Sequence, residues 1–516
     1  MEFNFPATLE IPLYAASALV ACGLAIWAKR RTRSPLPPGP PQLPILGNLL
    51  QIPSNEAWLK YIEWGREYGE VIYLKALSRE MLVVNSAEAA YEILDKNSSL
   101  TSDRPQNIMI SLIGWGTNIG HLHYGDEWRF SRRAFHQEFN PGAVPSHYKA
   151  ALPRINKLLV QLLHDPNNFM EHIRQCVSAI SIKISYGFDA ETKNGQDLMH
   201  ATEGAILCLE EATLPGSQLV FLFPPLRYLP AWISGGSFMK LAARSTAFVQ
   251  VMRDLPFNIV KEQIRNGTAP PSWMRSLLER STTAKDEERY KGVASQFFAA
   301  ASDTTLAGLR ALMLALVMYP EVQRRAQADI DRVVGSERLP NFDDRPALPY
   351  IDAIIKEVLR MHPPLPIGLP HSPTQDMVHN GYYIPKGGFS SRLVFFVTDL
   401  AAIRAMCYDE KTFGDPHVFR PERFLDPKLS DWHSIAFGFG RRVCVGRYLA
   451  EALLWQALAS ILATFDIKKA TKDGKEVEVP GSYGGIMVLR ADDFECAITP
   501  RGAGAVDLIE SARVED

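Results

Sequence analysis

Phe437-Gly438-Phe439-Gly440-Arg441-Arg442-Val443-Cys444-Val445-Gly446 sets three glycines and two arginines around a single cysteine. Glycine permits backbone conformations and close approaches that a Cβ forbids, so the stretch reads as a tight loop able to lie against something flat. An apolar helix, Val445 to Phe465, is expected to start directly after the cysteine. A thiolate at a helix start is favoured by the helix dipole and free N–H groups, and the arginines add positive potential. The chain has six cysteines, at 22, 176, 208, 407, 444 and 496, with no C-x-x-C pair. Such spacing argues against a disulfide framework or a structural zinc module and fits a reduced compartment. Cys176, Cys208, Cys407 and Cys496 read as small buried hydrophobes, whereas the surroundings of Cys444 are polar, cationic and Gly-rich.

This string resembles the haem-binding loop of the cytochrome P-450 family, the haem-thiolate monooxygenases, and is a highly specific signature. The resemblance implies haem b, with Cys444 as axial thiolate ligand, Phe437 packed near the sulfur and Arg442 on a haem propionate. Thiolate ligation pushes electron density onto iron and favours O–O cleavage. Trp128 and Arg132 match the family helix that crosses a propionate, and their four-residue spacing puts both on one helical face. Alone, such a pair is more often a structural contact. His371, after Pro370, sits where the family often has another propionate donor.

Two further motifs follow the family order. Glu357-Val358-Leu359-Arg360 is in isolation an i,i+3 ion pair; with Pro421-Glu422-Arg423-Phe424 it resembles the Glu357, Arg360, Arg423 network that ties the haem-side core together. Ala300-Ala301-Ser302-Asp303-Thr304-Thr305 interrupts the apolar run from Phe297 to Met318, where polar side chains compete with helical backbone. Read without the family, it is an internal cap or a kink. The resemblance implies a helix across the distal haem face, with Thr304 holding hydrogen bonds around dioxygen and Asp303 helping deliver protons. Position 301 is commonly Gly in this motif and is Ala here.

Working outward, Ile11 to Ala28 carries no charge, and 18 helical residues span roughly 27 Å, close to a bilayer core. Lys29, Arg30, Arg31 and Arg33 follow it, so the positive-inside rule puts the amino terminus in the lumen and the body in the cytosol. A cleaved signal peptide carries its basic residues before the apolar run, the opposite order. The expected organisation is a lumenal 1–10, a transmembrane anchor 11–28, a basic and Pro-rich stiff hinge 29–50, one domain 51–502 and a flexible tail 503–516. The fold class is mainly α with small β-sheets (α+β), the cytochrome P-450 fold. Helices are expected over Tyr148–His164, Gly236–Arg265, Tyr290–Met318, Pro320–Gly335 and Tyr350–Met361, and early strands over Val71–Leu74 and Met81–Val84.

In the 516 residues, Lys and Arg number 55 against 57 Asp and Glu, which excludes the bulk basicity of a nucleic-acid coat. No nucleotide-binding fingerprint is present, so the two electrons per turnover must come from another protein. The resemblance implies an endoplasmic-reticulum monooxygenase of fungal microsomal type, used in secondary metabolism or xenobiotic oxidation. NADPH acts only through NADPH–cytochrome reductase, docking beside Arg441 and Arg447, with cytochrome b5 as a second donor. The segments that line the family's cavity, Ile108–His123, Leu219–Trp232, Phe297–Ala301, Leu365–Leu369 and Gly485–Val488, are mostly apolar with no cationic clamp. A lipophilic terpenoid, polyketide or polycyclic aromatic fits them. The rivals are an oxygen-independent haem-thiolate isomerase or dehydratase, and a catalytically inactive haem-binding protein.

Gly388 to Arg404 is about twice the family's usual length, and Val394-Phe395-Phe396-Val397 is too apolar for an exposed loop. Either this is a real insertion or part of it is an unspliced segment of the gene. The unspliced account predicts a mature transcript that lacks some of these codons; a message encoding the whole stretch eliminates it.

Overall fold

The computed structural model describes residues 34–53, 56–77, 79–105, 107–213, 237–387 and 397–513, with Val220, Leu226 and Tyr228 between. The helices that build the body are α1 Ala57–Tyr68, α2 Asp126–Phe139, α3 Tyr148–His164, α4 Phe169–Tyr186, α5 Lys193–Thr213, α6 Ser237–Arg265, α7 Ala284–Met318, α8 Pro320–Val333, α9 Pro349–Met361, α10 Arg447–Thr464 and α11 Ala503–Ser511. Everything is arranged around α7. Its first turn is set by Thr283, whose hydroxyl accepts from the Asp286 N–H, and Asp286 and Glu287 suit the positive end of the dipole. Val293 to Ala299 and Ala307 to Val317 are then almost continuously buried against α4, α9 and α10. A Cβ added at Gly308 would stand 3.1 Å from the Leu454 side chain, so glycine is what lets α7 approach α10 this closely.

The sheets are small. β1 Val71–Ala76 and β2 Arg79–Val84 form an antiparallel hairpin in register Val71 with Val84, and β3 Val397–Ala401 adds to β2 in parallel, Glu80 opposite Val397. Two-stranded pairs join β4 Phe465–Lys469 to β7 Cys496–Pro500, and β5 Tyr483–Gly484 to β6 Arg490–Ala491. The architecture is the expected helical body with minor sheets.

Four expectations need revision. The core helix begins at Ala284 rather than Tyr290, because the Thr283 cap makes a polar first turn helical. The helix after the cysteine starts at Arg447, not Val445, since Cys444 is still part of the loop. Ala503 to Ser511, in the stretch read as a flexible tail, is helical: Val506 and Ile509 share a face, Ile509 is fully buried, and Glu510 lies 3.0 Å from His164. From Pro35 onward the Pro-rich hinge is laid along the body, its Pro38 carbonyl accepting from Tyr73 N–H and its Pro35 carbonyl from Tyr383 N–H. Its usual role as a spacer is lost because proline carbonyls remain good acceptors for a free strand edge. The expected anchor Ile11–Ala28, the lining segment Leu219–Trp232 apart from Val220, Leu226 and Tyr228, and residues 388–396 of the long stretch lie outside the described residues. Among the described residues, one helix is long and apolar enough to cross a membrane; it is α7, and it is mostly buried as the core of the fold.

The predicted carboxylate network is complete. Glu357 has no exposure; Arg360 donates to both its oxygens at 2.8 and 2.9 Å, Arg423 Nε at 3.1 Å, and the Arg420 N–H at 2.8 Å. The remaining guanidinium donors reach carbonyls of Cys407, Phe413, Asp415 and Val418. Glu357→Ala strands two buried cations and is expected to destabilise the fold by about 3–5 kcal/mol and prevent haem loading. Denaturant midpoints and the Soret absorbance of the purified variant check this, and a stable, haem-replete variant would refute it.

Candidate active site

The cysteine loop owes its shape to glycine at two points. Gly438 and Gly440 have φ of 80° and 56°, and a Cβ at Gly440 would lie 2.3 Å from the Leu94 carbonyl. Gly440 N–H donates to Asp95 at 3.0 Å, Cys444 N–H closes the turn onto the Phe437 carbonyl at 2.8 Å, and Arg132 donates to the Val443 carbonyl at 2.7 Å. Arg132 therefore pins α2 to the loop from the other side of the molecule. Among the described cysteines, Cys176, Cys208, Cys407 and Cys496 are buried and Cys444 alone is exposed. Accessible yet closely surrounded by protein, Cys444 sits in a hollow: desolvation raises its thiol pKa, against the opposing pull of Gly446 N–H, Arg132 and Arg447. The positive surroundings read from sequence are present, but burial outweighs them.

One turn of α7 is open as well. Ala299 and Thr305 are buried, while Ala300 is exposed and Ala301 to Thr304 are partly so, in the middle of a helix that is otherwise core. Thr304 Oγ1 donates to the Ala300 carbonyl and Ser302 Oγ to that of Phe298, both at 2.8 Å, and α7 continues through this turn from Ala284 to Met318. Asp303 is held across the fold. Arg490 Nη2 lies 2.7 and 2.8 Å from its two oxygens and Nε 3.1 Å from one, and the same Nη2 reaches Glu210 at 3.1 Å. The lining is thus not free of cations: Arg490 stands two residues beyond the Gly485–Val488 segment, paired with carboxylates.

Around the loop, the expected propionate residues come together. Trp128 is buried beneath the Arg442 guanidinium, 4.7 Å from its ring centre. Arg442 donates to the carbonyls of Ser102, Ile119 and Leu122, leaving two of a guanidinium's five N–H groups uncommitted. His371 is buried with Nδ1 2.9 Å from the Thr101 carbonyl. Two residues the sequence reading missed join them. Arg104, buried, donates to the carbonyls of Gly120, Leu369 and Pro370, and His121 lies beside it. The local signal for Arg104 is faint: Pro105 restricts it to an extended backbone, which fixes its aim. His121 has none. Burial and mutual repulsion act on all of them: the Arg442 pKa falls to about 10, that of His121 to about 4, and those of Arg104 and His371 well below their ordinary values. Asp103 is the carboxylate that offsets them, and it also accepts from His123 and the Tyr124 N–H. Buried cations with so little carboxylate suit a dianionic ligand, and haem carries two propionates.

The sequence model of the family described as Cytochrome P450 matches residues 37–492. The chain belongs to the cytochrome P450 family. It is 36% identical to the cytochrome P450 monooxygenase ple1 of Rhodocybe pseudopiperita, over 98% of each chain. It is 34% identical to the tryptamine 4-monooxygenase of Psilocybe cyanescens, over 95% of this chain and 98% of that one. A zebra fish cytochrome P450 solved with progesterone superposes with a TM-score of 0.70 at 23% identity, covering 86% of this chain and 99% of that one, which supports the fold. As a cytochrome P450 of fungal type, the protein is a monooxygenase that holds haem through a cysteine thiolate, receives NADPH electrons through a redox partner and oxygenates a lipophilic small molecule.

The cation cluster makes a prediction independent of turnover. Haem dimethyl ester, which lacks both carboxylates, is expected to bind this cytochrome P450 at least about a hundredfold more weakly than haem, since each charge-assisted contact contributes roughly 1.5–3 kcal/mol. Soret titrations of the apoprotein give both affinities, and equal values would rule out a propionate role for Arg104, Arg132 and Arg442.

Proposed function

We propose that Cys444 would hold the haem iron through its thiolate, that Arg442, Arg132, Trp128 and His371 with Arg104 would hold the propionates, and that Phe437 would shield the sulfur. The exposure of Cys444, among described cysteines that are otherwise buried, carries this reading. Bound haem would supply oxygen activation; the chain supplies position and protons. Thr304 presents its hydroxyl to the hollow from the opened turn of α7, and Asp303, next to it, moves protons inward from solvent. Glu357, Arg360 and Arg423 act structurally.

An endoplasmic-reticulum location follows from the charge order around Ile11–Ala28, with the lumenal 1–10 and the cytosolic body on opposite sides. NADPH–cytochrome reductase and cytochrome b5 dock on the loop side, where Arg441 is exposed and Arg447 partly so. The substrate is a terpenoid, polyketide or polycyclic aromatic of secondary metabolism; the name of the tryptamine 4-monooxygenase adds an aromatic amine to the panel.

Reduced protein with carbon monoxide is expected to show a thiolate-type Soret band that Cys444→Ser abolishes, and O2 consumption with NADPH and reductase is expected to rise with a member of the panel. A normal band without O2 use would favour the isomerase, and no band would favour an inactive protein. Retention of Asp303 and Thr304 supports the monooxygenase, because an isomerase needs no proton relay.

A further inference from the structure

Arg490 is aimed at Asp303 by a rigid frame. It sits on β6, opposite Gly484 of β5, directly after the buried Val488 and Leu489. Leu489 N–H donates to the Pro364 carbonyl, and the loop before it is closed at Gly485, where a Cβ would meet the Val488 carbonyl at 1.9 Å. The guanidinium thus reaches α7 from a strand with little freedom to move. On its other side stands Glu210, 5% exposed, in the last turn of α5. Three elements distant in sequence meet at one nitrogen, Nη2, with two contacts to Asp303 and one to Glu210, while Nε adds a third contact to Asp303.

We infer that Arg490 is the positioning residue for Asp303 and that Glu210 is its second acceptor, so that one guanidinium shared by two carboxylates sets when Asp303 is free to carry a proton. The inference rests on Asp303 as proton carrier. A carboxylate gripped at both oxygens is committed to the guanidinium; to take up a proton and pass it on, it has to release one oxygen. Leaving Arg490 without a partner at this depth is costly. Glu210 removes that cost, because the guanidinium can turn toward it and stay paired. Two carboxylates and one guanidinium also leave a net negative charge, so neither carboxylate holds Arg490 unopposed.

The test uses the full-length holoenzyme with reductase, NADPH and O2, without added substrate. Protons delivered correctly give two waters from one O2 and two NADPH; misdirected protons release hydrogen peroxide from one O2 and one NADPH. Arg490→Gln is expected to raise peroxide per O2 several-fold, and Arg490→Lys, which keeps the charge, to restore most of the wild-type ratio. Glu210→Gln is expected to slow O2 consumption several-fold and enlarge its solvent deuterium effect, because Asp303 then has no competitor for Arg490. Separately, thermal midpoints of Asp303→Asn, Arg490→Gln and the double variant are expected to be non-additive, which reports the pairing without turnover. If Asp303→Asn leaves the peroxide ratio and the rate unchanged, the proton-carrier reading itself fails. If Asp303→Asn changes them while Arg490→Gln does not, or if Lys gives no rescue, or the midpoints add, the positioning role is overturned.

Discussion

The Glu357 carboxylate, without exposure and gripped by two guanidiniums and a backbone N–H, is the contact on which the placement of the site depends. A buried ion network of this kind adds little net stability over a well-packed apolar alternative; its value is that it tolerates one geometry. Arg360 ties α9 to the Cys407 carbonyl, and Arg423 gathers the carbonyls of Phe413, Asp415 and Val418. Phe413 closes a one-turn helix, Glu410–Phe413, and Asp415 and Val418 follow it in irregular chain with no sheet or helix of its own. The path from Arg420 to Cys444 therefore leaves from a fixed point on a core helix, and the cysteine loop inherits its position from it.

The two buried charge clusters can be told apart by their balance. Around Glu357, the buried guanidiniums face a buried carboxylate that has four donors for its two oxygens. That is closed bookkeeping, the mark of a structural part. Around Arg442, burial lowers the proton affinity of Arg104, Arg132 and Arg442; Arg442 adds to the effect on Arg104 and Arg132 to that on Arg442, and Asp103 partly offsets both. Backbone carbonyls satisfy hydrogen bonds there without cancelling charge. Folding alone gains nothing from collecting cations, so the second cluster is shaped for a ligand, and the first for the fold.

What was legible in the sequence was whatever is local. The cysteine loop, the Trp128/Arg132 spacing, the Glu357/Arg360 turn and the helix periodicities all lie within a few residues, and the structure keeps them nearly where they were read. Long-range pairs were not legible. Arg490 lies on a two-residue strand and Glu210 at the end of a helix, and nothing near either states that they meet Asp303. Arg104 is one arginine among many until Gly120, Leu369 and Pro370 converge on it. The tail was misread because a short helix that buries one isoleucine has too little periodicity to announce itself.

Ala301 bears on how the opened turn of α7 works. Alanine in place of glycine stabilises a helix interior by roughly 0.5–1 kcal/mol, and α7 is unbroken through this turn. A regular helix cannot spare its own carbonyls, so the local adjustments available are side-chain ones. The hydroxyl of Thr304 has a single hydrogen, and it is donated to the Ala300 carbonyl. In that rotamer the oxygen can only accept; to donate toward a molecule in the hollow, the hydroxyl has to give up Ala300. Its donor capacity is then a matter of one rotation, while Asp303 is governed by a guanidinium on another element. The two polar neighbours on one turn of helix are thus controlled independently, one by its own backbone and the other by tertiary packing.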